Sequence, residues 1–98
     1  MWWHVACGAL NEGKRLAITY DGLTRVVEVH AVGTTEDGNP IMRAWQVRGG
    51  SRSGSPSSWR LFRLDRTWQY AVLDEKSEAP RVGYKRGDVA IARIRCQI

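Results

Sequence analysis

Short segments of alternating apolar and polar residues, separated by turn residues, are the feature that most constrains this fold. The first, residues 15–20, places a large apolar side chain at every second position. Asp21-Gly22 follows it as a hairpin turn, because both residues tolerate a positive φ. Further strands are predicted over residues 24–32, 40–47, 59–64, 67–74 and 93–98. Strands this short, repeated at turn spacing, favour a small, mainly β fold.

One helix is predicted before the strands, over residues 2–12. Its apolar positions follow helical spacing: Trp2, Val5, Ala6, Ala9 and Leu10. With five to six strands, the pattern predicts a single small β-barrel domain over residues 1–98, since closure leaves few exposed sheet edges. We expect the helix at 2–12, the barrel at 14–74, and a C-terminal arm with an edge strand at 75–98.

The positive charge is unevenly distributed. The chain has 15 Lys+Arg against 10 Asp+Glu, a net charge of +5. Between Arg43 and Arg66 lie six arginines and the single acid Asp65, and this window alone accounts for the net charge. Arginine grips phosphate or carboxylate through a planar fork. The window therefore predicts an anionic ligand, and the alternative is a solvated, solubilising surface.

The two cysteines, Cys7 and Cys96, do not form the repeated pattern of a disulfide framework. We expect reduced thiols in a cytoplasmic protein. No leader segment and no membrane-spanning apolar run is recognised, and no metal site or cofactor is expected. The sequence carries no nucleophile motif, carboxylate cluster or phosphate-binding loop, so we expect a protein that is not an enzyme.

Residues 59–66 (WRLFRLDR) alternate arginine with large apolar residues. In a strand, Phe62 and Leu64 would face the core and bring Arg60 and Arg66 towards a concavity on the same face. Aromatic residues beside arginine can stack on a base and neutralise its phosphate. The alternative is that these aromatic residues are ordinary core residues.

Three stretches of the sequence resemble the WYL-domain family: residues 16–28 (LAITYDGLTRVVE), 42–45 (MRAW) and 60–66 (RLFRLDR). Residues 83–88 also resemble the C-terminal segment of compact family members. The resemblance implies an Sm-like, SH3-type barrel, here as a standalone domain. It also implies a ligand-sensing role of the kind found in bacterial transcription regulators, CRISPR and other phage-defence systems. The ligand-binding positions implied by the family are Tyr20, Arg25, Arg43, Trp45, Arg60, Arg63 and Arg66.

The expected ligand is single-stranded nucleic acid or a nucleotide, bound where these arginine residues converge on one Arg-rich face, with Arg48 and Arg52 of the loop as additional phosphate contacts. The alternative is a protein-interaction module, such as an accessory subunit or a phage-encoded inhibitor of a nuclease or defence protein. Trp2 and Trp3 would then be its anchors, because tryptophan is a common interface hot spot. A homodimer formed through the helix or an unpaired strand edge also remains open.

Overall fold

A computed structural model describes residues 2–51 and 57–98, except for the side chain of Trp2. The helix α1 (Trp2–Glu12) has the predicted bounds. Its buried face is rotated from the predicted one. Val5 is 36% exposed, and Trp3 and Cys7 pack against the core instead. Val5 was predicted to lie on the buried face of the helix. This was wrong, because the face that packs against the sheet is centred on Ala6.

Within the described residues, six antiparallel strands form one sheet. They are β1 (Lys14–Tyr20), β2 (Leu23–Thr34), β3 (Pro40–Gly49), β4 (Ser58–Arg63), β5 (Thr67–Lys76) and β6 (Arg93–Gln97). The order is β4-β3-β2-β1-β5, and β6 pairs with β2. A single 3₁₀ turn, Leu64–Arg66, joins β4 to β5. The predicted class is confirmed for the described residues: a small, mainly β fold with one N-terminal helix and an antiparallel sheet.

The main core lies between α1 and the inner face of the sheet. Phe62 and Leu64 are each 1% exposed, as predicted from their alternation with arginine. Ala6 and Ala9 of the helix pack on the same cluster. The 3₁₀ turn connects β4 to β5 and buries Leu64 in the main core.

The central strand β2 is buried on both faces. Its outer face is covered by the residues between β5 and β6, 77–92, which we call the arm. Ile91 of the arm forms a second small core with Ala31 and Ile41. The strand β6 fits beside β2 only because residue 33 is glycine: a Cβ at Gly33 would lie 2.0 Å from the carbonyl oxygen of Arg93.

Cys7 and Cys96 form a disulfide, so the expectation of two reduced thiols was wrong. The bond joins α1 to β6, which pack together, and the two Cα atoms are 6.0 Å apart. The cysteines are 89 positions apart in sequence. Local pattern therefore gave no indication that they meet. Within the described ranges, no helix is long and apolar enough to cross a membrane.

Removing the disulfide should destabilise the fold. A cross-link between residues this distant restricts the unfolded chain strongly, so Cys7→Ser/Cys96→Ser should lower the free energy of unfolding by about 2–5 kcal/mol. Urea unfolding in oxidising buffer measures the change. As a control, a reductant should destabilise the natural chain and leave the double variant unchanged. Equal unfolding free energies in oxidising buffer would contradict the prediction.

Candidate functional site

The predicted arginine residues do not share one face of the sheet. Arg43 pairs across the sheet with Leu61, whereas Arg60 pairs with Ala44. Directly paired residues share a face, and neighbours along a strand alternate between faces. Arg43 therefore lies on the outer face with Trp45, while Arg60 lies on the inner face. The expectation of a single converging surface was wrong, and ligand contacts at the individual residues stay predictions.

Three of the predicted arginines are paired with the chain's own acids. The pairs are Arg43–Asp88, Arg48–Glu75 and Arg63–Asp65, with N–O distances of 2.6, 2.7 and 2.7 Å. The hydrogen bond from Arg48 lowers the pKa of Glu75 to about 2. A phosphate would have to compete with these carboxylates for the guanidinium groups.

Tyr20 and Arg25 do come together, but they are covered. Arg25 is 4% exposed, and its Nη2 donates to the carbonyl oxygen of Tyr20 at 3.2 Å. Its guanidinium carbon lies 5.3 Å from the centre of the Tyr20 ring. Arg60 is half-buried and donates to Ser51 Oγ at 2.8 Å. These residues stabilise one end of the inner face, and Arg25 is closed to a ligand in this structure.

The other predicted residues are scattered. Arg66 is exposed on the 3₁₀ turn. Trp3 is half-buried, and the guanidinium carbon of Arg95 lies 3.9 Å from the centre of its ring. Trp3 therefore does not present a free face as an anchor should. Arg52 and the side chain of Trp2 lie outside the described residues.

A fully buried carboxylate lies at the centre of the outer face. Glu28 is 0% exposed and accepts hydrogen bonds from Arg81 Nε at 2.6 Å and Arg15 Nε at 3.0 Å. The backbone N–H of Glu78 donates to it at 2.8 Å. Burial by itself raises the pKa of Glu28, but these hydrogen bonds outweigh it and hold the pKa below its ordinary value. Glu28 is therefore ionised and fixes the start of the arm.

His30 fixes the arm beside Glu28. The ring is 0% exposed, and Nε2 accepts a hydrogen bond from the backbone N–H of Arg81 at 2.9 Å. Nδ1 lies 2.9 Å from the carbonyl oxygen of Glu28, to which it donates. Burial lowers the pKa of His30, and the charge of Arg81 adds to this effect, while Glu28 opposes it. The imidazole is therefore neutral and has a structural role.

An open hollow of about 500 Å³ lies between the arm and the outer face of β3 and β4. Trp59 and Tyr84 line it, with ring planes 29° apart and ring centres 6.3 Å apart. Lys85 and Arg86 form its cationic wall, and Arg43 lies against it. We call this the arm hollow.

The charges of the arm hollow differ from those of the paired arginines. Lys85 and Arg86 are exposed, and in the described part of the chain neither has a side-chain carboxylate within ion-pair distance. Arg43 is held by Asp88, whose pKa is lowered chiefly by this hydrogen bond. Two aromatic rings beside two cations that lack a side-chain carboxylate partner suit a ligand that has both a planar ring and a negative charge.

Sequence reasoning missed both the buried network and the arm hollow. A signal for the first was present: Glu28 and His30 alternate with valines in a strand too apolar to have a solvated face. The second depends on Trp59 meeting Tyr84, 25 positions later in the sequence. The described residues contain no group of three or more His, Cys, Asp or Glu able to hold a metal ion.

Comparison with known proteins gives no relative: no family model, no curated protein and no solved structure matches the chain. The resemblance to WYL domains stays a prediction.

The buried carboxylate should contribute strongly to stability. Glu28→Gln leaves Arg81 and Arg15 facing a neutral amide, so the free energy of unfolding should fall by about 3 kcal/mol. Glu75→Gln is the matched control, because Glu75 also binds Arg15 but lies at the surface. Its effect should be much smaller. Equal effects in urea unfolding would contradict the role assigned to Glu28.

Stability should decrease in mild acid because of His30. Its pKa in the folded chain lies below the ordinary 6.5, so the unfolded chain binds a proton first as the pH falls. The free energy of unfolding should therefore decrease as the pH falls from about 7 to about 5.5. His30→Gln should flatten this decrease, as measured by urea unfolding at several pH values. If the natural chain and the variant have the same slope, His30 is not the group responsible.

Proposed function

We propose that this chain is a non-enzymatic binding module for a nucleotide or single-stranded nucleic acid, held in the arm hollow. The observation that carries the proposal is the nearly parallel pair Trp59 and Tyr84 beside Lys85 and Arg86, two cations with no side-chain carboxylate partner in the described ranges. Phosphate neutralisation would supply most of the affinity. A base stacked on an aromatic ring adds about 1–3 kcal/mol.

The proposed ligand belongs to the class predicted from the sequence, but the proposed site is the arm hollow and not the predicted set of arginine residues. Of the seven positions implied by the family resemblance, Arg43 is the one that lines the arm hollow. Its Nε and one Nη donate to Asp88. Because a guanidinium has five N–H donors, others remain for a phosphate oxygen. Asp88 thus orients Arg43 at the base of the hollow.

The biological role is proposed from the WYL resemblance. A module that binds nucleotides or single strands fits ligand sensing in bacterial stress or phage-defence regulation. The proposal requires no catalytic group, and the neutral, buried His30 supports this view, because both ring nitrogens are already engaged by the backbone.

A protein-interaction module is the second candidate, and one observation favours it. Val82 is 97% exposed and Val89 is fully exposed, on either side of Tyr84 in the arm. Exposed apolar side chains beside an aromatic ring are typical of protein interfaces. For a protein partner, Val82→Ser/Val89→Ser should abolish binding, whereas nucleotide binding should survive this change.

The nucleotide proposal is tested with a pair of charge reversals. Lys85→Glu and Arg66→Glu change the net charge equally, at exposed positions inside and outside the arm hollow. Lys85→Glu should weaken binding at least about tenfold more than Arg66→Glu. Fluorescence anisotropy measures this with a labelled oligothymidylate and, separately, a fluorescent nucleoside triphosphate, each over a series of salt concentrations. Equal effects of the two variants, or no binding at low salt, would refute the proposal.

The aromatic contribution has its own control. Tyr84→Leu should weaken binding without changing the salt dependence, because it removes a ring and no charge. Tyr84→Phe keeps the ring and removes only the hydroxyl that donates to the carbonyl oxygen of His30. Binding by Tyr84→Phe should therefore stay close to that of the natural chain. If Tyr84→Leu also binds normally, the ligand does not stack on Tyr84.

A further inference from the structure

The cationic wall of the arm hollow is attached to the residues that follow Cys96. The backbone N–H of Gly87 donates to Gln97 Oε1 at 3.0 Å. Arg86 Nε donates to the carbonyl oxygen of Ile98 at 3.2 Å. The turn that presents Lys85 and Arg86 is thus held by the two residues next to the disulfide.

The strand that carries Cys96 is weakly held by its own pairing. β6 has five residues and pairs with β2 alone, between Ala31 and Thr34, with a register shift on the way. Arg93, Ile94 and Arg95 are exposed. A short edge strand with few buried side chains opens at low cost in free energy.

The disulfide connects this weak strand to the core. Cys7 lies on α1 between Ala6 and Ala9, which are both 0% exposed. The start of the arm has separate attachments, because Arg81 is bound to Glu28 and His30. Breaking the disulfide would therefore loosen β6 and its contacts with Arg86 and Gly87, while Arg81, the Arg43–Asp88 ion pair and the buried Ile91 keep the rest of the arm docked.

We propose that the Cys7–Cys96 disulfide is a redox-controlled clip that keeps the arm hollow assembled, so that its reduction lowers the affinity for ligand. This inference rests on the proposed function and adds regulation to the same site. A dithiol reductant supplies two electrons and two protons. The S–S bond breaks, each cysteine becomes a thiol, and the dithiol is oxidised to its own disulfide.

The effect on binding follows from the population of the assembled hollow. Apparent affinity falls in proportion to the fraction of molecules in the binding-competent state. When the disulfide is reduced, β6 no longer holds Arg86 and Gly87 in place. The fraction of molecules in the binding-competent state then decreases. In a reducing compartment the module has low affinity, and under oxidative stress it has high affinity.

Hydrogen exchange tests the structural part without any ligand. Reduction of the natural chain should increase amide exchange over residues 83–98, chiefly in β6, by more than in β1, β2 and β3, whose protection should fall only with the free energy of global unfolding. The Cys7→Ser/Cys96→Ser variant should match the reduced chain, and a reductant should not change it further. Unchanged exchange at 83–98 would overturn the clip. So would a loss of protection at 83–98 no greater than the loss across β1, β2 and β3, because the disulfide would then act only by stabilising the whole fold.

Binding tests the functional part with the same labelled oligothymidylate. The oxidised natural chain should bind at least about tenfold more tightly than the reduced chain or the double variant. Equal affinity in both redox states would overturn the clip and leave the proposed function intact. If the oxidised chain binds neither the oligothymidylate nor the fluorescent nucleoside triphosphate, while exchange at 83–98 still responds to reduction, the proposed function is wrong and the structural clip is supported.

Discussion

The buried charge of Glu28 constrains the outer half of this molecule. An ionised carboxylate in the middle of a sheet is stable only when every oxygen has a partner. Arg15 supplies one partner from β1, and the arm supplies Arg81 and the backbone N–H of Glu78. Apolar side chains packed over this position would leave the charge without partners. The arm docks where it does because it satisfies Glu28, and the second core and the arm hollow follow from that docking.

Local pattern predicted the elements well. The helix bounds, the strand positions and the inward direction of Phe62 and Leu64 depend on periodicity over a few residues, and each is present. The turn at Asp21-Gly22 is also as predicted: φ is 52° at Asp21 and 71° at Gly22, both positive. Each of these features is decided by the backbone and by neighbours within one turn or one strand.

The candidate site could not be predicted in the same way, because it is built from contacts between distant parts of the chain. The arginine window from 43 to 66 carries the net charge when residues are counted along the sequence. In space, Asp88 and Glu75 come from outside that window and compensate Arg43 and Arg48. Lys85 and Arg86 of the arm have no such partners within the described ranges, so they add positive surface that the arginine window does not contain.

Stability and the proposed binding would be coupled, because both depend on the same segment. The arm that compensates Glu28 near its start also presents Lys85 and Arg86 further along, so the hollow exists only while the arm is docked. Any ligand that binds the docked state alone must stabilise it by mass action, in proportion to RT ln(1 + [L]/Kd). The same linkage extends to the cysteines. A ligand that favours docking would hold Cys96 beside Cys7, and under the proposed function the disulfide would in turn favour the ligand. The arm thus connects three features of the chain: the buried charge of Glu28, the Cys7–Cys96 disulfide and the arm hollow.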